Sequence, residues 1–343
     1  MVTGLKQLKL LGASLALGLA TFAPAQAKDG QTVDFNAAFD STFGTQKRTP
    51  QSYEAVYETG FEKRIAQLAD GNRGRIGVAA IDLSTGQEIS ILGDQRFPMA
   101  STSKIAIAAT FMEGVEQGRW SLTSEYPLLL PVGSAKYSSA KAPVRHGKYL
   151  PASELIELMI TRSSNSATDA LLKAVGGPSE VNAWMRRAGI RDFQLTRDIA
   201  TLVRDDGEYD PASHIDLRDS ATPKAMTQLL SGLYQGRWLS ASSRQVIIGA
   251  MERCVTGKRR IPALLPASAT VAHKTGSLNN TSSDIGIIRS PDGRAIVVAI
   301  YVTGQTTRGN REARIAEIAN ALYDGFTNQP DNNWARATYA PGG

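Results

Sequence analysis

Phe97-Pro98-Met99-Ala100-Ser101-Thr102-Ser103-Lys104 runs straight into Ile105-Ala106-Ile107-Ala108-Ala109-Thr110-Phe111-Met112. The second half predicts an apolar helix over Ile105–Val115. Ser101 and Lys104, three positions apart at its start, share one face. An alcohol so placed is deprotonated by an amine whose pKa has been lowered by burial and nearby positive charge. The spacing alone says little, because 28 Ser and 13 Lys in 343 residues give about one Ser-x-x-Lys by chance. Ser138-Ser139-Ala140-Lys141 is a second match. It sits in a Pro- and Ser-rich loop without an amphipathic helix behind it and reads as solvated surface.

Working outward, Phe61, Ile65 and Leu68 follow Val56 at helical spacing, and Gly71-Asn72 ends that helix. Arg75–Asp82 and Glu88–Leu92 are β-rich runs around Ser84-Thr85-Gly86, a hairpin signal. From Ser101 to about Arg237 the patterns are mostly helical: Ala152–Thr161, Ala167–Val175, Ser179–Ala188 and Pro223–Tyr234. Ile285–Arg289 and Ala295–Val302 then read as strands joined at Pro291-Asp292-Gly293, and Ala313–Tyr323 as a closing helix. The order predicts an α/β part plus an all-α part. An antiparallel sheet is flanked by N- and C-terminal helices, a helical domain is inserted, and a cleft lies at the junction. The expected organisation is a catalytic domain over 56–327, with its α/β part at 56–96 and 238–327 and its helical part at 97–237.

Composition removes several classes. With 42% hydrophobic and 20% charged residues the chain is neither disordered nor collagen-like. Cys254 is the single cysteine and His146, His214 and His273 stand far apart. No disulfide framework, thiolate cluster or metal site is expected, and no cofactor. A charge of +6 with both signs interspersed leaves no nucleic-acid footprint. Lys6 and Lys9, the apolar run Leu10–Ala20 and Ala25-Gln26-Ala27 read as a cleaved signal peptide over 1–27. A periplasmic or secreted monomer is expected, without stable membrane insertion. A flexible arm is expected over 28–55 and a disordered tail over 328–343.

Three further strings lie downstream. Ser163-Ser164-Asn165 opens an apolar helix and in isolation reads as a cap. His273-Lys274-Thr275-Gly276-Ser277 contains Lys-Thr-Gly, expected only about 0.1 times by composition. Thr256-Gly257-Lys258-Arg259-Arg260-Ile261 ordinarily reads as a solvated basic loop. Ser-x-x-Lys, Ser-x-Asn and Lys-Thr-Gly in this order form the signature of class A β-lactamases and penicillin-binding proteins. Phe97-Pro98-Met99, Gly176-Gly177-Pro178, Arg218-Asp219 and Thr222-Pro223-Lys224-Ala225-Met226 match as well. Over residues 56–326 the chain resembles the class A serine β-lactamases.

That resemblance implies roles. Ser101 is the nucleophile that forms the acyl-enzyme. Lys104 is a candidate base, Ser163 passes a proton to the leaving nitrogen, and Lys274 holds Ser163. Asn165 bonds the substrate's side-chain amide and steadies Lys104. Lys274, Thr275 and Ser277 bind the substrate carboxylate, with Arg260 adding charge and Tyr137 flanking the cleft. The backbone N–H groups of Ser101 and Ser277 form the oxyanion hole. Arg197 and Asp219 match the ion pair that closes the family's omega loop.

The match breaks inside that loop. Where the family reads Arg-x-Glu-x-x-Leu-Asn, this chain has Arg197-Asp198-Ile199-Ala200-Thr201-Leu202-Val203. Ile199 and Val203 replace the Glu and Asn that hold the deacylating water. The longer segment that follows carries Asp205, Asp206, Glu208, Asp210 and Asp216, which read most simply as solvated turn residues. Glu208 is the preferred substitute base and Asp198 the runner-up. Ser164 also replaces the family's Asp in the second motif. The expected function is β-lactam ring opening through a Ser101 acyl-enzyme. The alternative is a penicillin-interactive or DD-peptidase-like protein with slow deacylation, acting on a β-lactam or a peptidoglycan-like substrate. Hydrolysis of another ester or amide is a third possibility.

Overall fold

The computed structural model describes residues 59–328. The expected leader, arm and tail, and the helix start at Val56, lie outside these residues except for Asn328. Helix α1 (Gly60–Leu68) opens on a capping box in which Thr59 and Glu62 each bond the other's amide. Strands β1 (Ile76–Asp82) and β2 (Glu88–Ile91) form the hairpin. After the short β3 (Phe97–Pro98), a 3₁₀ turn, Ala100–Ser103, runs directly into α2 (Lys104–Glu116).

Next come β4 (Glu125–Pro131) and β5 (Val144–Pro151), then α3 (Ala152–Thr161), α4 (Asn165–Ala174) and α5 (Pro178–Arg187). The omega segment contributes β6 (Phe193–Gln194), α6 (Ile199–Arg204) and β7 (Ser220–Ala221). The chain continues through α7 (Pro223–Gln235) and α8 (Ala241–Glu252). It ends with β8 (Thr270–Leu278), β9 (Thr281–Arg289), β10 (Ala295–Thr303) and α9 (Arg308–Thr327).

Five strands form one antiparallel sheet in the order β2-β1-β10-β9-β8, with Ile76 opposite Val302 and Lys274 opposite Ile285. Strand β10 is buried at every position because both faces of the sheet are covered. Ile296, Val298, Ile300 and Val302 point into a core with α1 and α9. Val297, Ala299 and Tyr301 alternate with them and point into the core shared with the helical region. Helix α2 carries apolar residues nearly all round and is buried from Lys104 to Met112, as its composition requires. The ionic head of Lys104 is thereby carried into the interior.

Two elements differ from the sequence expectation. The helical stretch is interrupted by the hairpin β4–β5, whose residues are largely exposed and include Pro127, Pro131 and Gly147. A two-stranded ribbon tolerates proline and needs no apolar alternation, so it leaves little periodic signal. Between Arg237 and Ile285, where the sequence pattern assigned no element, the chain forms helix α8, whose four opening residues are Ala-Ser-Ser-Arg, and strand β8.

Phe97 anchors the nucleophile turn. Its ring is fully buried, lies 5.8 Å from the Tyr301 ring and carries the Arg75 guanidinium 4.4 Å above it. The ring also fills the space where a side chain at Gly77 would stand. Phe97→Ala is expected to lower unfolding free energy by about 3–5 kcal/mol, as a large buried ring leaves a cavity. Urea denaturation checks this, and unchanged stability would contradict the packing described.

Candidate active site

Ser101 sits at the start of the 3₁₀ turn, and the Lys104 backbone amide closes that turn onto the Ser101 carbonyl. Ala100 just before it is held at φ 49°, a sparsely populated region for a residue with a Cβ. Several bonds hold the bend. Met99 N donates to Asp219 O, Ser103 Oγ to Ala100 O, and Thr102 Oγ1 reaches both Met99 O and the buried Tyr301 hydroxyl. On the opposite side, a Cβ at Gly276 would lie 2.7 Å from Met99 O, so β8 passes the nucleophile turn at a distance only glycine permits.

The charged groups converge on Ser163. Lys104 Nζ donates to Ser163 O at 2.8 Å, Ser163 Oγ at 3.2 Å and Asn165 Oδ1 at 2.8 Å. Lys274 Nζ reaches the same hydroxyl at 2.9 Å and also Thr275 O. Ser163 is held at φ 57°. Its neighbour Ser164 is the cap of α4, accepting from Ala167 N, so the capping and chemical readings of this string fall on adjacent residues.

Burial, and then the charge of Lys274, hold the Lys104 amine well below its ordinary range, with Asp169 opposing. Burial lowers Lys274 to about 8, helped by Arg260 and resisted by Cys254 and Asp284. Lys104 therefore meets the electrostatic condition for accepting a proton.

The remaining site residues divide into groups. Thr275 Oγ1 shares a hydrogen bond of 2.7 Å with Thr256 Oγ1. Ser277 Oγ accepts from Arg260 Nη2 at 2.7 Å. Arg260 itself is buried, bonded to Gly276 O and Ser283 O and paired with Glu312 at 3.1 Å. The expected free charge in the cleft is thus a guanidinium set behind β8, acting on the site through Ser277. Tyr137 is exposed at φ 57° on the β4–β5 connection, and its amide donates to Asp205.

The omega loop is closed by Arg197 Nε on Asp219 Oδ2 at 2.6 Å, while Asp219 Oδ1 accepts from the amides of Thr196 and Arg197. Within it stand the two candidate bases. Glu208 is exposed and its carboxylate is paired with Arg218 at 2.7 Å; Asp198 is the cap of α6, accepting from Thr201 N. Both carboxylates have structural partners. Ile199 is buried and Val203 exposed.

Sequence reading missed Asp169. Its carboxylate is buried and accepts from both Ile199 N and Ala200 N at 2.7 and 2.9 Å. Burial raises it to about 6 against those two bonds. The signal was its position four residues beyond Asn165 on one helix face. A cavity of about 410 Å³ lies beside Asp169, lined also by Lys141, Lys173 and Asp198, and Ser101 is not part of its wall. No group of three or more potential metal ligands occurs among the described residues.

A split sheet-and-helix fold with a serine one helical turn ahead of a buried lysine, a second serine between two lysines and a glycine-dependent edge strand defines an active-site-serine acyl-transfer enzyme. Residues 60–326 match the model of the β-lactamase enzyme family, and the chain belongs to that family, on its class A serine branch. β-Lactamase CTX-M-8 of Citrobacter amalonaticus is 31% identical over 77% of this chain and 89% of that protein. A β-lactamase structure from Chitinophaga pinensis aligns with a TM-score of 0.68 at 26% identity, over 78% of this chain and all of that one. A Leu→Glu variant of PBP-A, held as an acyl-enzyme with penicillin G, aligns with a TM-score of 0.65 at 27% identity, over 78% and 96%.

Between β8 and β9, His273 Nδ1 lies 3.0 and 2.9 Å from the two oxygens of Asp284. Burial lowers the imidazole pKa, but the facing carboxylate outweighs it and pushes it up to about 10. The folded value stands above the ordinary 6.5, so the pair's contribution is complete below about pH 6.5 and is lost as pH rises toward about 10. The stability gap between wild type and Asp284→Asn should therefore shrink across that window in urea titrations. A gap that stays constant would refute the pairing.

Proposed function

We propose that this protein is a serine hydrolase that opens β-lactam rings through an acyl-enzyme on Ser101. The observation that carries the reading is the convergence of Lys104, one turn after Ser101, and Lys274 on the Ser163 hydroxyl. Lys104, with its lowered pKa, takes the Ser101 proton as the oxygen attacks the lactam carbonyl. The Ser101 and Ser277 amides receive the developing oxyanion. Ser163 delivers a proton to the departing nitrogen and is replenished through Lys104. Lys274, Thr275 and the Arg260-supported Ser277 hold the substrate carboxylate, and Asn165 the side-chain amide. The protein works as an exported monomer in the periplasm or outside the cell, and needs no cofactor.

A second reading concerns the lifetime of the intermediate. Ile199 and Val203 offer neither a proton acceptor nor an amide to a hydrolytic water, which supports slow deacylation and a penicillin-interactive or peptidase-like role. Intact mass spectrometry after exposure to benzylpenicillin should show an adduct on wild type and none on Ser101→Ala. The wild-type adduct should persist for minutes or longer, and Ile199→Glu combined with Val203→Asn should shorten its life at least tenfold. Absence of any adduct refutes the acyl-enzyme; rapid loss from wild type refutes slow deacylation.

Acylation also has a pH signature. It should rise as Lys104 loses its proton and fall above about 8, where Lys274 ceases to be an ammonium. Second-order acylation rates from pH 5 to 10 check the two limbs, and a flat alkaline limb would remove Lys274 from carboxylate binding.

A further inference from the structure

Ring opening gives no part to Cys254, which follows helix α8 and is part-buried between exposed Arg253 and Val255. The thiol does not stand alone. His273, buried on β8, has Nδ1 committed to Asp284 and hydrogen-bonds the Cys254 thiol as well. That second bond falls to Nε2, the one ring nitrogen left. Cysteine, imidazole and carboxylate thus follow one another as a nucleophile, a proton carrier and the group that orients the carrier. Burial raises the thiol's pKa, but the hydrogen bond and the charge of His273 outweigh it and bring it below its ordinary value. His273, pushed up to about 10 by the facing carboxylate in spite of its burial, is an imidazolium in neutral water. A sulfur facing that cation is richer in thiolate, the form that reacts.

Two routes lead from this cluster to the residues that hold the substrate carboxylate. Cys254 Sγ lies 3.3 Å from Thr256 Oγ1, which shares its 2.7 Å bond with Thr275 Oγ1. The negative charge of a Cys254 thiolate also favours the ammonium form of Lys274. Chemistry narrows what the sulfur can meet. A part-buried sulfur admits small reagents before large ones. A hydroxide displaced from a peroxide needs a proton at once, and the imidazolium is placed to give it. A thiolate displaced from a disulfide has no such need.

We infer that Cys254, with His273 and Asp284, is an oxidation site for hydrogen peroxide, and that its product loosens the grip of Thr275 and Lys274 on the substrate carboxylate. Sulfur attacks one peroxide oxygen, and the S–O bond forms as the O–O bond breaks. The departing hydroxide takes the Nε2 proton and leaves as water. Sulfur has lost two electrons, and the product is a sulfenic acid with no second cysteine in the chain to condense with. The added oxygen crowds the contact with Thr256, and the anion near Lys274 is gone. The coupling, though not the oxidation, rests on the acyl-enzyme reading above.

The test follows thiol loss to hydrogen peroxide, with glutathione as the unactivated reference and dimedone trapping to mark the sulfenic acid by mass spectrometry. Wild type should react at Cys254 about tenfold or more faster than glutathione, and His273→Asn should lose that advantage. No dimedone adduct, or reaction at the glutathione rate, overturns the site on wild type alone, whether or not the variant folds. Losing about one hydrogen bond to the carboxylate, oxidised wild type should acylate with benzylpenicillin about fivefold more slowly than reduced wild type. Dithiothreitol should restore the rate, and Cys254→Ser should not respond to peroxide. Equal acylation before and after oxidation overturns the coupling to Thr275. Reduced protein that forms no penicillin adduct overturns the acyl-enzyme reading and leaves the oxidation of Cys254 standing.

Discussion

Two lysine side chains aim at one serine oxygen, and the site depends on how that arrangement is tolerated. With Lys104 and Lys274 at 3.2 and 2.9 Å from Ser163 Oγ, two full charges would lie at most about 6 Å apart and repel by about 3 kcal/mol at an effective dielectric near 20. Neither amine has bulk water to relieve this, since both side chains are fully buried. The repulsion disappears if one is neutral, and burial plus the neighbouring charge select Lys104. Both amines donate to Ser163 Oγ as the site stands, and a Lys104 that has given up a proton offers a lone pair to which that hydroxyl donates instead.

Such a cluster has to be imposed by the fold, because it would not assemble for its own sake. Positive φ at Ala100, Ser163 and Asp219 marks the three bends where the chain is forced into position. Two of them are braced by groups outside the chemistry. The Ala100 bend has Ser103 and Met99, and Asp219 has Arg197 and two amides. For Ser163, Lys104 itself grips the backbone carbonyl, so one of the reacting side chains also fixes the geometry. Phe97, Tyr301 and Thr102 transmit the stiffness of the central sheet to the nucleophile turn.

The sequence made the periodic parts legible. Helix Ala152–Thr161 was read to the residue, and the strand pair at the C-terminal end within a few positions, because apolar alternation and helical spacing are local properties. Ser101, Lys104, Ser163 and Lys274 were legible through order and spacing. What escaped depends on distant chain coming together. Asp169 is an ordinary helix residue until the omega loop docks its amides on it. Glu208 was a plausible base on paper and is committed to Arg218, a partner chosen by loop geometry. The apparently solvated Asp205 and Asp206 are bonded across two other loops. Turn residues rich in carboxylate give no sign in sequence of whether water or a backbone amide will be their partner.

The same loop shows why acylation and release can part company in this fold. The two lysines proposed for ring opening are buried and bonded to Ser163, so loss of that serine would leave buried amines short of a partner. The loop that would supply the hydrolytic water is held differently. Asp169 grips it by the amides of Ile199 and Ala200, Asp198 caps it, and Arg197 and Asp219 close its base. None of these bonds depends on the side chain at position 199. Isoleucine can therefore stand there, buried and well packed, without disturbing the acylating groups. Length can be added between Arg204 and Arg218 as long as the new carboxylates find donors. A loop anchored through its backbone is free to change its side chains while keeping its place in the fold.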